Sequence, residues 1–243
     1  MYMAMHRQIN QVPFDYIVPI HVGAALQDDK YARVTDATGE NISEKNPQYC
    51  ELTALYWMWK NTTDDYLGLC HYRRFFNLPE EKLIAEQLKS GNLILPERIY
   101  FKESLYDQYR HCHAIEEWDI MIEVVKSLYP DYFKAAVKVF SSNSLIPYNM
   151  FIANKQWLDQ YCRWLFPVLS GVADKIQSLD PTRQRYIGFL SERLLTLFVF
   201  KNQFRVQECE IIDSKSKPIK QSCLGIAARN TLFNLNKKLK IGG

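Results

Sequence analysis

The stretch DYLGLCHYRRFF, residues 65–76, joins a continuous apolar run to a cluster of basic side chains. An apolar run without polar alternation is typical of a strand that is buried on both faces of a sheet. His71, Arg73 and Arg74 follow where this run ends. We therefore expect a buried strand whose carboxyl end carries a histidine and two arginines.

Other strands and helices alternate along the chain. MYMAM, YIVPIHV and LILP are predicted to be strands, and Gly91-Asn92 is predicted to be a turn. Residues 149–169 are predicted to run from a strand into a helix. Apolar periodicity predicts further helices at residues 52–59, 80–89, 115–127, 131–140 and 189–200. This alternation predicts an α/β fold with a central, mostly parallel sheet flanked by helices.

Composition limits the class of protein. A chain of 243 residues that is 47% hydrophobic is long enough to bury a full core as one domain. No apolar run approaches the ~20 residues of a membrane span, and the start, MYMAMHRQINQ, does not resemble a signal peptide, so a cytoplasmic location is expected. The six cysteines include no CxxC pair, which argues against a zinc knuckle and fits reduced thiols.

Charge is distributed unevenly. After Asp213 the chain has seven lysines and arginines and no acidic residue, although the formal net charge is only +3. A basic tail on an acidic body indicates a polyanionic partner or surface and argues against a nucleic-acid-binding core.

The end of the strand at residues 66–71 is suited to binding a diphosphate. Ligands of α/β sheets bind outside the carboxyl ends of the strands, and a guanidinium offers phosphate a planar set of donors that stays charged. The alternative is structural, with Arg74 in solvent and Arg73 paired with a carboxylate. Spacing alone leaves both interpretations open.

Several motifs resemble a known bacterial family. They are YIVPIHVGAAL, TGENISEKNPQYCELTALYWMWKN, DYLGLCHYRRFF, IPYNMFI and GFLSERLL, and they span residues 1–202. The family occurs in capsule and exopolysaccharide gene clusters, was long classified as a domain of unknown function, and includes galactofuranosyltransferases. The resemblance implies a GT-A-like glycosyltransferase domain over residues 1–202, followed by a basic tail over residues 203–243.

The resemblance implies how the donor diphosphate is held. Many GT-A enzymes end a strand in Asp-x-Asp, which holds a divalent metal on the diphosphate, whereas the corresponding strand here ends in His71-Tyr72-Arg73-Arg74. Side-chain cations would then replace the metal, so no metal cofactor is expected. Asp64-Asp65 precedes the strand and is not counted as the metal motif.

The resemblance places further donor contacts in the loop from Asn41 to Glu51. Short polar side chains there suit sugar hydroxyls, and an aromatic ring suits the base. The alternative is a loop that caps the next helix, with Asn46 as the cap and Pro47 at the first helical position. The predicted donor-side residues in this loop and elsewhere are His6, Arg7, Gly23, Asn41, Ser43, Asn46, Tyr49, Glu51 and Asn149.

Glycosyl transfer needs a base for the acceptor hydroxyl. Glu192, at the start of an apolar helix, is the predicted base, with Asp119 as the second candidate. Glu192 could instead be an acid at the helix start that pairs with a neighbouring arginine. For Trp118, a role in the buried core is equally open. The predicted acceptor-side residues are His111, His113, Trp118 and Arg193.

The tail contains a helical stripe of apolar residues. Leu224, Ala228, Leu232, Leu235 and Leu239 fall on one helical face, with basic residues outside it. This is the pattern of an interfacial helix on an anionic membrane surface. The alternative is that the stripe packs on the domain itself.

The expected function is metal-independent transfer of a hexose from a UDP-sugar, with UDP-galactofuranose preferred, to a saccharide or lipid-linked acceptor at the inner face of the membrane. With Glu192 as base the transfer would invert configuration. The alternative is a non-catalytic carbohydrate-binding or scaffold subunit of the assembly complex. A phosphate-ester enzyme would need a nucleophile or metal set that the sequence does not offer.

Overall fold

The computed structural model of the chain describes residues 1–9, 12–78, 80–89, 91 and 93–241. Asn92 of the predicted turn, and the side chains of Leu239 and Lys240 in the predicted tail helix, lie outside that description. No described helix has both the length and the apolar composition needed to cross a membrane.

The described strands form one large sheet and one small one. In the large sheet the order is β10-β6-β9-β4-β1-β2-β3, with β5 beside β4 and β11 beside β5, while β7 and β8 pair separately. The strands are β1 Tyr2–Met5, β2 Val18–His21, β3 Val34–Thr35, β4 Tyr66–His71, β5 Arg74–Phe76, β6 Leu93–Pro96, β7 Ile99–Tyr100, β8 Ser144–Leu145, β9 Phe151–Asn154, β10 Val206–Cys209 and β11 Ile211–Asp213.

Helices cover the sheet, and each predicted helix is present. The strand-to-helix prediction is also confirmed, since β9 leads directly into a helix of 25 residues that continues past Pro167. The α-helices are α1 Asn46–Tyr49, α2 Leu52–Asn61, α3 Glu81–Lys89, α4 Leu105–Cys112, α5 Ile115–Leu128, α6 Phe133–Phe140, α7 Lys155–Leu179, α8 Tyr186–Asn202 and α9 Cys223–Ile241. The predicted mixed α/β fold with a mostly parallel central sheet is therefore confirmed.

The strand β4 is the centre of the sheet, as its apolar sequence predicts. Its residues 67–70 are buried, and it lies between the parallel strand β1 and the antiparallel strand β9. A Cβ atom at Gly68 would lie 3.1 Å from both the carbonyl oxygen of Phe151 and a side-chain carbon of Ile152. Glycine at this position therefore allows β4 and β9 to approach closely.

The direction of the strands determines which loops meet. Strands β1, β2 and β4 are parallel and adjacent, so their carboxyl ends lie at one edge of the sheet. Strand β9 is antiparallel to β4, and Phe151 pairs with Leu69. The residues that precede β9 therefore reach the same edge.

The sheet continues beyond residue 202. Strand β10 runs parallel to β6, and β11 runs antiparallel to β5, with Asp213 opposite Arg74. The expected boundary between a domain ending at residue 202 and a tail starting at residue 203 therefore does not coincide with a structural boundary.

The tail helix α9 is formed, and its apolar stripe faces solvent. Leu224, Leu232 and Leu235 are 85%, 47% and 51% exposed. The opposite face contacts the domain, where Asn143 Nδ2 donates to Asn230 Oδ1 at 2.8 Å. The alternative in which the stripe packs on the domain is not what the structure shows.

Candidate active site

Three histidines mark the carboxyl ends of adjacent parallel strands. His6 follows β1, His21 ends β2 and His71 ends β4. The strand register places His21 opposite Met5 and His71 opposite Ala4. These pairings bring the three strand ends together at the edge where α/β sheets bind ligands.

The predicted basic cluster lies on a hairpin at this edge. After β4 the chain turns through Tyr72 and Arg73 and returns as β5, with Arg74 opposite His71. The guanidinium carbons of Arg7 and Arg73 each lie 5.0 Å from the centre of the Tyr72 ring. Cation–π contacts of this kind orient a guanidinium without neutralising its charge.

Two further arginines extend the cluster. The Arg74 guanidinium lies 4.4 Å from the Tyr148 ring. Arg185 precedes α8 in a left-handed conformation, and its N–H donates to the carbonyl of Pro47 at 2.9 Å. The pKa of His6 is lowered by partial burial and then by the positive charges of Arg7, Arg73 and Arg185.

None of the described carboxylates is a partner of these cations. Among the described residues, no carboxylate forms an ion pair with Arg7, Arg73, Arg74 or Arg185. The structural alternative, in which Arg73 pairs with a carboxylate, is therefore not what the structure shows. Unpaired arginines gathered at a strand-end edge attract a polyanionic ligand.

The predicted base, Glu192, is connected to β4 through a single backbone residue. The N–H of Tyr148 donates to Glu192 Oε1 at 2.7 Å, and His71 Nε2 lies 2.6 Å from the carbonyl oxygen of Tyr148. Since a carbonyl only accepts, Nε2 of His71 carries a proton. The residue Tyr148 therefore fixes both the carboxylate and the imidazole.

The local environment shifts the pKa values of this network. Burial raises the pKa of Glu192, while Arg193 and the Tyr148 N–H act in the opposite direction. Arg193 Nη1 donates to Glu192 Oε2 at 3.0 Å and is itself buried. Burial also lowers the pKa of His71, which favours the neutral imidazole. A carboxylate whose pKa is raised towards neutrality suits a general base.

Asn149 joins two other parts of the chain at this point. Its Nδ2 donates to Glu51 Oε1 at 2.6 Å and to the carbonyl of Gly188 at 3.1 Å. Its Oδ1 is buried without a partner among the described residues. Buried polar atoms are normally satisfied, so this oxygen is available to a ligand or water.

Backbone strain is concentrated around this network. Among the described residues, six other than glycine have positive φ, and four of these are Cys50 (52°), Tyr148 (73°), Asn149 (52°) and Arg185 (64°). Such conformations cost on the order of 1–3 kcal/mol each and cluster at functional sites. Burial raises the pKa of the Cys50 thiol to about 12, so Cys50 is not an activated nucleophile.

Most of the predicted donor loop has a structural role. The buried Asp36, which the sequence did not single out, accepts from the N–H of Gly23 at 2.8 Å, and it also accepts from Ser43 Oγ. Gly23 has φ of 69°, and a Cβ there would lie 2.8 Å from Asn46 Oδ1. These contacts hold the loop in place beside the strand ends.

Other predictions for this loop fare differently. Tyr49 is only 2% exposed, so the predicted stacking on a base does not fit its position. Asn46 lies in the first turn of α1, with Nδ2 donating to the carbonyl of Cys50 at 2.8 Å, and does not cap the helix. Asn41 is exposed and Glu51 is partly exposed, so both remain candidates for sugar contacts.

Three of the four predicted acceptor residues lie around one aromatic ring, since Arg193, His113 and Trp118 each contact Tyr109. Arg193 contacts Glu192. The ring of His113 lies 4.3 Å from that of Phe189, which is on α8 together with Glu192 and Arg193. Trp118 is 3% exposed, and His111 forms an ion pair with Glu103 at 2.7 Å. His111 has no described contact with Glu192 or Arg193, whereas Trp118 is linked to Arg193 through the ring of Tyr109.

The second candidate base, Asp119, is exposed on α5. None of the contacts described for the chain joins it to the arginines or to Tyr148. The structure therefore favours Glu192. Among the described residues, no group of three or more His, Cys, Asp and Glu side chains is placed to hold a metal ion.

The sequence reasoning missed Tyr72, Arg185 and Asp36 as site residues. Tyr72 lies within the basic motif next to Arg73, which was available as a signal, whereas its contact with Arg7 depends on the fold. Arg185 gave no such signal, because only the fold brings the start of α8 next to the end of β1.

A mostly parallel α/β sheet whose strand ends carry arginines without a described carboxylate partner and a partly buried carboxylate is an arrangement suited to an anionic ligand. Residues 1–203 match the family described as a domain of unknown function, DUF4422, and the chain belongs to that family.

A solved structure is also similar to this chain. It is the apo structure of WbbM, a bifunctional glycosyltransferase, with a TM-score of 0.78 and 28% sequence identity. The match covers 86% of this chain and 44% of that one, so the chain spans less than half the length of the WbbM structure. No curated protein matches the chain.

Proposed function

We propose that this protein transfers a hexosyl group from a UDP-sugar to a saccharide acceptor. The observation that carries the proposal is the juxtaposition of four arginines, none paired with a described carboxylate, and the partly buried carboxylate of Glu192, whose side chain is 19% exposed. A diphosphate needs such cations, and acceptor activation needs such a base. The similarity to a bifunctional glycosyltransferase supports this class of reaction.

In this proposal the arginines hold the donor diphosphate. Arg73 and Arg7 flank Tyr72 at 5.0 Å each, and Arg74 lies on the Tyr148 ring. Arg185 is added to the donor-binding residues predicted from sequence, because its charge acts on His6 together with Arg7 and Arg73. Since these cations can neutralise the diphosphate, we propose that transfer does not require a metal ion.

Glu192 acts as the general base in the proposed reaction. As the bond between the anomeric carbon and the diphosphate oxygen breaks, UDP leaves with the electron pair and the arginines stabilise its charge. The acceptor hydroxyl oxygen forms the new bond to the anomeric carbon, and its proton passes to Glu192. Attack opposite the leaving group inverts the configuration.

His71 and Tyr148 act as positioning residues in this mechanism. The carbonyl of Tyr148 accepts from His71 at the end of β4, and its N–H holds Glu192 Oε1. The diphosphate-binding hairpin and the base are thus connected through Tyr148, whose carbonyl contacts one and whose N–H contacts the other. Donor binding at the hairpin and alignment of Glu192 are therefore expected to be coupled.

The finer parts of the proposal concern substrate and location. We propose UDP-galactofuranose as donor and a growing cell-surface polysaccharide or its lipid-linked repeat unit as acceptor, with the protein at the inner face of the membrane. The exposed stripe and the cations of α9 support a surface contact. Sedimentation with anionic vesicles tests this. Truncation after Asp213, which retains β10 and β11, should abolish salt-sensitive binding.

A donor screen tests the function itself. Purified protein is incubated with UDP-galactofuranose, UDP-galactopyranose and UDP-glucose, with and without oligosaccharide acceptors, and released UDP is measured. Acceptor-dependent release is expected with at least one donor and should be lost in Glu192→Gln. Saccharide binding without release from any donor would instead favour the non-catalytic subunit.

A further inference from the structure

A large cavity is lined by residues other than Glu192, Tyr148 and His71. It has a volume of about 1040 Å³ and is bounded by α4, α5, α6 and α9. This volume is at the upper end of the range for small-molecule pockets. Its wall is formed mainly by large apolar and aromatic side chains, among them Tyr106, Trp118, Phe133, Val137, Phe140 and Phe233.

The polar groups of the cavity are mainly basic or already paired. His111 Nδ1 lies 2.7 Å from Glu103 Oε2, and Arg110 Nη2 lies 3.3 Å from Asp107 Oδ1. Lys237 comes from α9, where the described cations are Arg229, Lys237 and Lys238 and no residue is acidic. The α9 side of the cavity therefore favours an anion.

Helix α9 presents apolar residues on two faces. Phe233 lines the cavity, whereas Leu232 and Leu235 are 47% and 51% exposed. At 100° per residue, Phe233 and the centre of the exposed stripe lie roughly 140° apart around the helix. One helix thus separates an apolar cavity from an apolar stripe, with lysines close to both.

We propose that this cavity binds the hydrocarbon chain of a phosphate-bearing lipid, and that α9 lies on the membrane from which the lipid is taken. An apolar interior with Lys237 at the α9 side matches an amphiphile with one anionic end. The exposed stripe lies on the other face of the same helix that forms this wall of the cavity. The inference deepens the proposed function, since the lipid would carry the saccharide acceptor.

Binding can be measured without turnover. The probe is 12-bromododecyl phosphate, whose bromine quenches an indole on contact, and Trp118 is the tryptophan that lines the cavity. Saturable quenching is expected, and Trp118→Phe should remove it. Decyl phosphate should compete about tenfold more weakly than dodecyl phosphate, because two fewer methylenes are buried.

Matched variants locate the site. Val137 lines the cavity and is 55% exposed, so Val137→Trp can fill it without disturbing the core. It should weaken dodecyl phosphate binding at least tenfold, whereas Lys134→Trp, on an exposed position of the same helix, should not. Lys237→Gln should weaken dodecyl phosphate at least threefold but leave dodecanol unchanged, with Lys238→Gln as the control.

Two results would overturn the proposal: wild-type binding by Val137→Trp, or equal loss in Val137→Trp and Lys134→Trp. Its failure is distinguishable from failure of the proposed function. UDP release with a soluble oligosaccharide as acceptor tests only the Glu192 site, and it should be normal in Val137→Trp. Lipid binding in a protein that releases no UDP would leave the cavity assignment standing and remove the proposed function.

Discussion

Replacing Glu192 by glutamine tests the chemistry most directly. The substitution keeps the size of the side chain and one hydrogen-bond acceptor but removes the negative charge and the ability to take a proton. General base catalysis contributes about 10²–10⁴-fold to the rate, so turnover should fall at least ~100-fold. The arginines that hold the donor are unchanged, so UDP affinity should stay within about threefold of wild type.

The same substitution has a cost in stability that can be worked from its contacts. Glu192 accepts from the Tyr148 N–H with one carboxylate oxygen and from Arg193 with the other. Glutamine has a single side-chain oxygen, so it can replace only one of these two acceptors. Losing one charge-assisted hydrogen bond costs about 1.5–3 kcal/mol. Burial raises the pKa of Glu192, so the charged carboxylate itself costs stability at neutral pH, and glutamine avoids that cost. Urea unfolding at neutral pH should therefore show a net loss below this range, and turnover is compared where both proteins are folded.

The dependence on pH gives an independent signature. Because burial raises the pKa of Glu192, the acid limb of kcat/KM should lie above the ordinary range of a glutamate, with activity rising as the carboxyl loses its proton. The folded state also holds this proton more tightly than the unfolded state. The Glu192 contribution to stability should therefore fall as pH rises from the unfolded towards the folded pKa.

A matched control separates catalysis from stability. Glu117 is a buried glutamate whose pKa is also raised by burial, and its Oε1 contacts Arg183 at 3.5 Å. Glu117→Gln should change stability to an extent similar to Glu192→Gln but keep near-normal turnover. If Glu192→Gln is folded and retains more than a tenth of wild-type turnover, Glu192 is not the base, and Asp119→Asn becomes the next variant to measure.

Three further predictions concern charge. Arg73→Ala and Arg185→Ala should each weaken UDP binding by about 1.5–3 kcal/mol in calorimetry, and an unchanged affinity would remove that arginine from the site. Activity should survive EDTA, whereas complete loss that manganese restores would show that a metal is needed. Burial, followed by the charge of Arg193, lowers the pKa of His113 to about 4, so the unfolded chain takes up a proton first as pH falls below ~6.5. The contribution of His113 to the free energy of unfolding should decrease by about 1–2 kcal/mol between pH 7.5 and pH 5. Urea unfolding of His113→Gln should lack this decrease.

Much of the fold was predictable because local patterns determined it. The continuous apolar run of β4 indicated a buried central strand, and helical periodicity located the predicted helices to within a few residues, except that α7 continues to Leu179, ten residues beyond the predicted segment. The strands β10 and β11 were not predicted. Their sequence, VQECEIID, follows the last recognisable motif, and their place beside β6 and β5 depends on contacts between distant residues.

The candidate site was predictable where one segment contributes several groups. The HYRR motif placed His71, Arg73 and Arg74 together, and a helix-start acid singled out Glu192. Arg185 lies 112 residues beyond Arg73 in the chain, so only the tertiary fold relates them. The prediction that Tyr49 stacks on a base was wrong for a different reason. The sequence of a polar loop does not indicate whether an aromatic ring points into the core or towards a ligand.

The position of β10 beside β6 shows that the end of the family match, at residue 203, should not be taken as the end of the folded unit. Strand β6 is buried along its whole length, at residues 93–96, and its outer neighbour is β10. A protein ending at residue 203 would leave the N–H and C=O groups of an apolar strand unpaired in solvent. Such an edge pairs with the same edge of another molecule and promotes aggregation. The homologous region is therefore shorter than the unit that can be handled as a monomer, and a shortened protein should end no earlier than Asp213.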